Sequence, residues 1–122
     1  MPDQKKILLV DDSKVICSIL TMRLENEGFA VDVVDNGIAL LSYLKEGEEP
    51  DAVILDLFIP ELSGLEAIDS ISNRWRNAAI FVYSAQTKWK YALSRNPAVC
   101  RFFGKNEDMK DMIKAIKERL GL

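Results

Sequence analysis

Five strand-length apolar runs, at residues 7–10, 29–34, 52–55, 79–83 and 99–103, alternate with stretches patterned as helices. A chain that alternates strand and helix this regularly folds as an open α/β sheet with right-handed crossovers. Three of the runs are nearly continuous in Val, Ile, Leu and Phe, as parallel strands covered on both faces require. The helical stretches carry their own start and stop signals. Ser13 suits an N-cap for a helix with apolar Val15, Ile16, Ile19, Leu20 and Leu24, and Gly28 marks its end. A second helix runs from Ile38 through Leu40, Leu41 and Leu44 to Gly47, and a third from about Gly64 to Trp75 with Leu65, Ile68 and Ile71 inward. A fourth is expected from about Gln86 to Arg95, stopping near Asn96 because the residue before Pro97 is pushed out of the helical region. The fifth sets Met109, Met112, Ile113, Ile116 and Leu120 on one stripe, opposite Lys110, Asp111, Lys114, Lys117 and Glu118.

No repeat, low-complexity segment or linker divides the 122 residues, so one domain with one core is expected. A chain of this size buries roughly two-thirds of its unfolded surface and needs no disulfide or structural metal to fold. Its net charge of −3 gives no electrostatic reason to bind nucleic acid or an acidic membrane surface. Cys17 and Cys100 lack C-x-x-C spacing and read as small core residues of a reducing compartment. The few apolar residues before Asp11-Asp12 are too short for a signal sequence, and the longest apolar run, 78–83, is too short for a bilayer, so a cytoplasmic location is expected. The chain has no histidine. That excludes a Ser-His-Asp or Cys-His pair, an H-E-x-x-H zinc site and any imidazole base.

In open α/β sheets ligands sit at the carboxyl ends of the strands, where strand order reverses. Asp11-Asp12 follow the first strand, Asp56 the third, Ser84 the fourth, and Lys105 lies near the end of the fifth. If the first and third strands are neighbours, three carboxylates meet in a small volume and repel unless a positive charge intervenes. Carboxylates without thiolate or imidazole suit a hard, oxygen-seeking dication, Mg²⁺ (or Mn²⁺), and Lys105 supplies further positive charge.

The motifs Ile7-Leu-Leu-Val-Asp-Asp12, Asp56-Leu-Phe-Ile-Pro60-Glu-Leu-Ser-Gly64, Val82-Tyr-Ser84-Ala85 and Phe102-Phe-Gly-Lys105, in that order, resemble the CheY-like receiver domain of two-component response regulators. The resemblance covers essentially the whole chain. It implies a flavodoxin-like (βα)5 three-layer sandwich with a parallel five-stranded sheet in the order 2-1-3-4-5. Residues 1–122 would form a single receiver domain, with no effector domain in this chain. Asp56 would be the phosphoacceptor, taking a phosphoryl group from a histidine kinase or histidine phosphotransfer protein. Asp12, Asp56 and the backbone carbonyl of Phe58 would hold Mg²⁺ directly, with Asp11 acting through water. Lys105, the Ser84 hydroxyl and the amides near Phe58 and Ala85 would bind phosphoryl oxygens. Ser84 and Phe102 would couple the site to the face of helix four, strand five and helix five, where a downstream target or a second copy binds. Such a protein is a signalling switch rather than an enzyme, catalysing only its own phosphorylation and dephosphorylation.

Three departures from the family pattern stand out. Asn106 replaces the usual proline after the strand-five lysine, which implies either a trans bond with Lys105 slightly shifted or a strained cis bond. Phe58 and Gln86 flank the path of a hydrolytic water, and the bulk of Phe58 is expected to lengthen the life of an acyl phosphate. Trp89 and Tyr91, among Lys88 and Lys90, are either buried or a protein-binding surface. Taken singly, Asp11-Asp12 also suits a turn and cap, Ser84 a capping hydroxyl, Lys105 a solvated lysine and Phe102 core packing. Four competing readings remain. A haloacid dehalogenase-type phosphatase would need D-x-D, a flavodoxin would need a hydroxyl- and glycine-rich loop where Asp-Asp stands, a pseudo-receiver would act without phosphorylation, and a receiver could belong to a larger hybrid kinase or transcription factor.

Overall fold

All five strands form: β1 (Lys6–Val10), β2 (Ala30–Val34), β3 (Ala52–Leu55), β4 (Ala79–Ser84) and β5 (Val99–Gly104). In this computed structural model, which describes residues 4–122, they pair in parallel in the order β2-β1-β3-β4-β5. The leading residues 1–3, which enter the expectation of no signal sequence, lie outside the described residues. The helices are α1 (Lys14–Asn26), α2 (Gly37–Glu46), α3 (Gly64–Arg74), α4 (Lys90–Ser94) and α5 (Met109–Arg119). None of them is long and apolar enough to cross a membrane.

Alternation along each strand builds two cores, one on each face of the sheet, rather than the one core expected, because the sheet itself separates the two helical layers. Leu8, Val10, Val53, Leu55, Ile80 and Val82 meet Leu40, Leu44, Ile68, Ile71 and Leu93 of α2, α3 and α4 on one face. Ile7, Leu9, Ile54 and Phe81 meet Leu20, Leu24, Met112, Ile113 and Ile116 of α1 and α5 on the other. This is the expected three-layer sandwich. The caps agree with the sequence signals: Ser13 Oγ accepts from the Ile16 N–H at 3.3 Å, and Gly28 takes φ +94°, a conformation other residues adopt at a cost.

Two further expectations need correction. The fourth helix is shorter than expected: residues Thr87–Trp89 form a 3-10 turn, and only Lys90–Ser94 are α-helical. Neither segment has a side-chain cap, and the Trp89 N–H tightens the turn by bonding the Gln86 carbonyl at 3.4 Å. The stop near Asn96 holds, with Asn96 Oδ1 accepting from the Ala98 N–H at 2.9 Å. On α3, Leu65 is exposed rather than inward. The buried stripe runs through Gly64, Ala67, Ile68 and Ile71, and at about 100° per residue Leu65 is carried off it. Likewise Val15 and Ile19 on α1, and Ile38 and Leu41 on α2, lie exposed beside the stripes that meet the sheet.

Candidate functional site

The register of the sheet brings the acidic residues together. Val10 of β1 pairs with Leu55 of β3, so Asp11 and Asp56 leave neighbouring strands at the same level. The Asp56 N–H donates to the Val10 carbonyl at 2.8 Å, and the Asp11 N–H to the Val34 carbonyl at 3.1 Å. One carboxylate oxygen from each of Asp11, Asp12 and Asp56 lies within 4.8 Å of the others. Asp11 and Asp56 are buried and Asp12 is exposed. Two buried like charges need a cation. Lys105 Nζ provides it, 2.8 Å from Asp11 Oδ2 and 3.3 Å from Asp56 Oδ2.

Lys105 reaches this position from the end of β5, where Gly104 pairs with Ser84 and the Lys105 N–H donates to the Ser84 carbonyl at 2.8 Å. No cis peptide bond occurs among the described residues, so the Lys105–Asn106 bond is trans and still delivers the ammonium to both carboxylates. Glu107 accounts for this, although the sequence reading did not single it out. Its Oε2 accepts from the Gly104 N–H at 2.6 Å, while its own N–H donates to the Gly104 carbonyl at 3.0 Å. The turn is clamped from both ends. Its signal in sequence is an acidic residue two positions after Lys105.

Burial raises the Asp56 carboxyl above the usual carboxylate range, and Asp11 adds to the effect, while Lys105 and the Phe58 N–H, 3.3 Å from Oδ1, oppose it. Burial disfavours charge on Lys105, but its hydrogen bond to Asp11 and the field of Asp56 outweigh this and hold the ammonium above its ordinary value. Asp11 also closes the turn into α1, accepting from the Ser13 N–H at 2.9 Å. Cys17 lies behind it, half-buried, its thiol donating to the Asp11 carbonyl at 3.3 Å and pushed up to about 11 by burial and the nearby carboxylates. Burial and those carboxylates thus disfavour the thiolate, the reactive form of the side chain.

Ser84 is fully buried, and its Oγ accepts from the Gln86 N–H at 3.0 Å, while Ala85 and Gln86 are exposed. Phe58, two residues past Asp56, is 53% exposed beside the carboxylates. Phe102 is buried in the core cluster that holds Leu93 and Val99, its ring inward. Trp89 and Tyr91 are exposed rather than buried. Between Asp56 and α3 the chain makes a two-residue hairpin, Phe58–Ile59 against Leu62–Ser63. Pro60 opens its turn, Glu61 takes φ 77°, and the Pro60 carbonyl accepts from the Gly37 N–H at 2.8 Å, fastening the loop to α2. Gly64 permits close approach: a Cβ there would stand 2.7 Å from Leu57 Cδ2.

An oxygen-only donor set of three convergent carboxylates fits a hard divalent cation. Comparison with known proteins agrees. The family model for the response regulator receiver domain matches residues 7–117. The virulence transcription regulator BvgA of Bordetella pertussis is 32% identical over 114 residues, which cover 92% of this chain and 54% of that protein. The chain thus spans about half the length of this curated relative. Among solved structures, the response regulator TrrA of Thermotoga maritima, in complex with Mg²⁺–BeF, superposes with a TM-score of 0.84 at 30% identity, covering 95% of this chain and 99% of that one. A CheY-like receiver domain of Methanospirillum hungatei shares the fold, with a TM-score of 0.88 at 22% identity over 98% and 95% of the two chains. Sheet order, acidic cluster and these matches coincide, and the chain belongs to the response regulator receiver domains of two-component systems.

Proposed function

We propose that this receiver is phosphorylated on Asp56 by a histidine kinase or histidine phosphotransfer protein in the cytoplasm, and that residues 1–122 act as one switch. The observation that carries the reading is the cluster of Asp11, Asp12 and Asp56 bridged by the Lys105 ammonium. An Asp56 carboxylate oxygen attacks phosphorus in line as the P–N bond of the donor phosphohistidine breaks. The bond's electrons stay on the imidazole nitrogen, which takes up a proton. Having no histidine, the chain receives the group from another molecule or domain. Asp12, Asp56 and the Phe58 carbonyl would hold Mg²⁺ (or Mn²⁺), with Asp11 contacting it through water. Bound there, the ion neutralises charge on the transferring group.

Lys105 transfers one of its contacts from a carboxylate to a phosphoryl oxygen, and the Ser84 hydroxyl and the amides near Phe58 and Ala85 bind the others. Binding by Ser84 requires its Oγ to leave the Gln86 N–H. That movement is the start of the switch, with Phe102 packed next along β5 and the face of α4, β5 and α5 as the surface that reports it to a downstream target or a second copy. Phe58 and Gln86 flank the water's approach and set how long the acyl phosphate lasts. The match to half of BvgA favours a second setting for the same unit, as the input of a longer regulator. The test is intact mass after incubation with acetyl phosphate and Mg²⁺. One added phosphoryl group, absent in Asp56→Asn and in chelator, is expected; no addition from acetyl phosphate or from a phosphorylated histidine phosphotransfer protein refutes the reading and favours a pseudo-receiver.

A further inference from the structure

An apolar groove of about 200 Å³ lies between the start of α3 and the turn before α4, lined by Leu57, Phe58, Gly64, Leu65, Trp89 and Leu93. Phe58, Leu65 and Trp89 expose large apolar surface around it, more than a purely solvated face would carry. Charge is unevenly placed around this opening. From residue 70 to 106 the chain has no Asp or Glu, yet Lys88, Lys90 and Arg95 are exposed along the turn and α4. Lys88 lies over the Trp89 ring at 5.8 Å, and Lys90 makes an exposed pair with Glu107 at 3.5 Å. On the opposite wall α3 carries Glu66 and Asp69, both exposed.

Both walls are tied to the acidic site by short hydrogen-bond paths. The Phe58 N–H donates to Asp56 Oδ1, and on the far wall the Gln86 N–H donates to Ser84 Oγ while the Gln86 carbonyl accepts from the Trp89 N–H. A change at Asp56 or Ser84 that breaks one of these bonds would reach a groove wall directly. By linkage, whatever fills the groove would then bias the site in turn.

We propose that this groove docks an acidic peptide segment of a partner protein. One bulky apolar side chain of the segment enters between Leu65 and Trp89, and its carboxylates lie on Lys88 and Lys90. Glu66 and Asp69 fix the direction, with the acidic end over α4. A polyanion such as duplex DNA fits poorly, having no apolar side chain for the groove and meeting those two acids. The docking chemistry stands on the groove and its charges; its control by the site rests on the reading of Asp56 as phosphoacceptor.

Selection of random twelve-residue peptides displayed on phage against the full chain tests this, with fluorescein-labelled winners measured by anisotropy. The expected winners are acidic and contain one Leu, Phe or Trp. Leu65→Asp, and Lys88→Glu with Lys90→Glu, should each weaken binding at least tenfold without changing the circular dichroism spectrum. Loading the parent with Mg²⁺ and beryllofluoride should shift the Kd at least threefold. No enrichment, basic or wholly polar winners, binding indifferent to both sets of substitutions, or displacement by duplex DNA at matched charge overturns the docking site. Equal affinity in loaded and unloaded protein overturns the coupling. Intact mass of the same samples after acetyl phosphate treatment reports separately on the phosphoacceptor reading.

Discussion

Asp56→Asn should stabilise the metal-free protein, because the structure sets two carboxylates against one ammonium around a buried oxygen. At an effective dielectric near 20, like charges no more than 4.8 Å apart repel by about 3.5 kcal/mol or more, so buried Asp11 opposes Asp56 by about that much and exposed Asp12 adds a smaller, solvent-screened amount. Lys105, at 3.3 Å, returns about 5 kcal/mol. The charges nearly cancel, and burial decides against the ionised form, in line with the raised Asp56 carboxyl. Asn keeps the shape and an acceptor for Lys105 while removing the charge, for an expected gain of about 1–2 kcal/mol, or roughly 4 °C in Tm per kcal/mol. Linkage gives the sign with pH. A carboxyl raised in the folded state binds more protons there than when unfolded, so the parent loses stability as pH rises from about 3.9 through the folded value. The gap between parent and variant should therefore be small below pH 4, then open and level off. Thermal melts in EDTA across this range measure it. Mg²⁺ at a hundredfold excess over its Kd should stabilise the parent by about 2.7 kcal/mol and the variant by less. A variant no more stable than the parent at pH 7, with an equal Mg²⁺ response, refutes the repulsion.

Lys105→Gln should cost about 3–5 kcal/mol in EDTA at pH 7, since it strips the cation from buried Asp11 and Asp56, and the loss should shrink in the Asp56→Asn background. Urea denaturation of the four proteins checks this, and a single-variant loss below about 1 kcal/mol counts against the bridge. Gly64→Ala should cost about 1–3 kcal/mol, because its Cβ would stand 2.7 Å from Leu57 Cδ2 and 3.0 Å from Leu57 Cα. An unchanged Tm would mean that Leu57 yields freely. Phe58→Asn should shorten the acyl-phosphate lifetime, tracked by mass spectrometry after removal of the donor, if the exposed ring two residues past Asp56 shields the acyl phosphate as proposed; equal decay rates exclude shielding.

The sheet was legible because its signal is local and repeated. Runs such as 52–55 and 79–83 are apolar on both faces, a pattern that suits only strands covered twice, and the structure places them as neighbours at the middle of the sheet. The helix faces were harder to read. A helix on a sheet buries a narrow stripe, and where apolar residues flank it, as Leu41 flanks Leu40 and Leu65 flanks Gly64, composition does not say which of them turns inward. Packing decides, and at α3 the close approach of Gly64 to Leu57 fixes the rotation.

The same distinction separates the parts of the site that could be read from those that could not. Asp11, Asp56, Ser84 and Lys105 each stand at or just past the end of a strand, so parallel pairing alone gathers them, and finding the strands located the cluster. The division of Lys105 between Asp11 at 2.8 Å and Asp56 at 3.3 Å has no such origin, since it depends on how far the 104–107 turn lets the side chain reach. The clamp that holds this turn, Glu107 on the Gly104 amide, is a local contact with no periodicity to reveal it. The groove beside Phe58 lies further still from the sequence pattern. It joins residues 57–65 to Trp89 and Leu93 across a gap between two helices, and only their relative placement makes it apolar. Strand register places the residues at the carboxyl end of a sheet, whereas helix packing shapes the surface between two helices. The acidic cluster at the carboxyl end of the sheet is therefore readable in the sequence, whereas the groove between two helices has to be found in the folded chain.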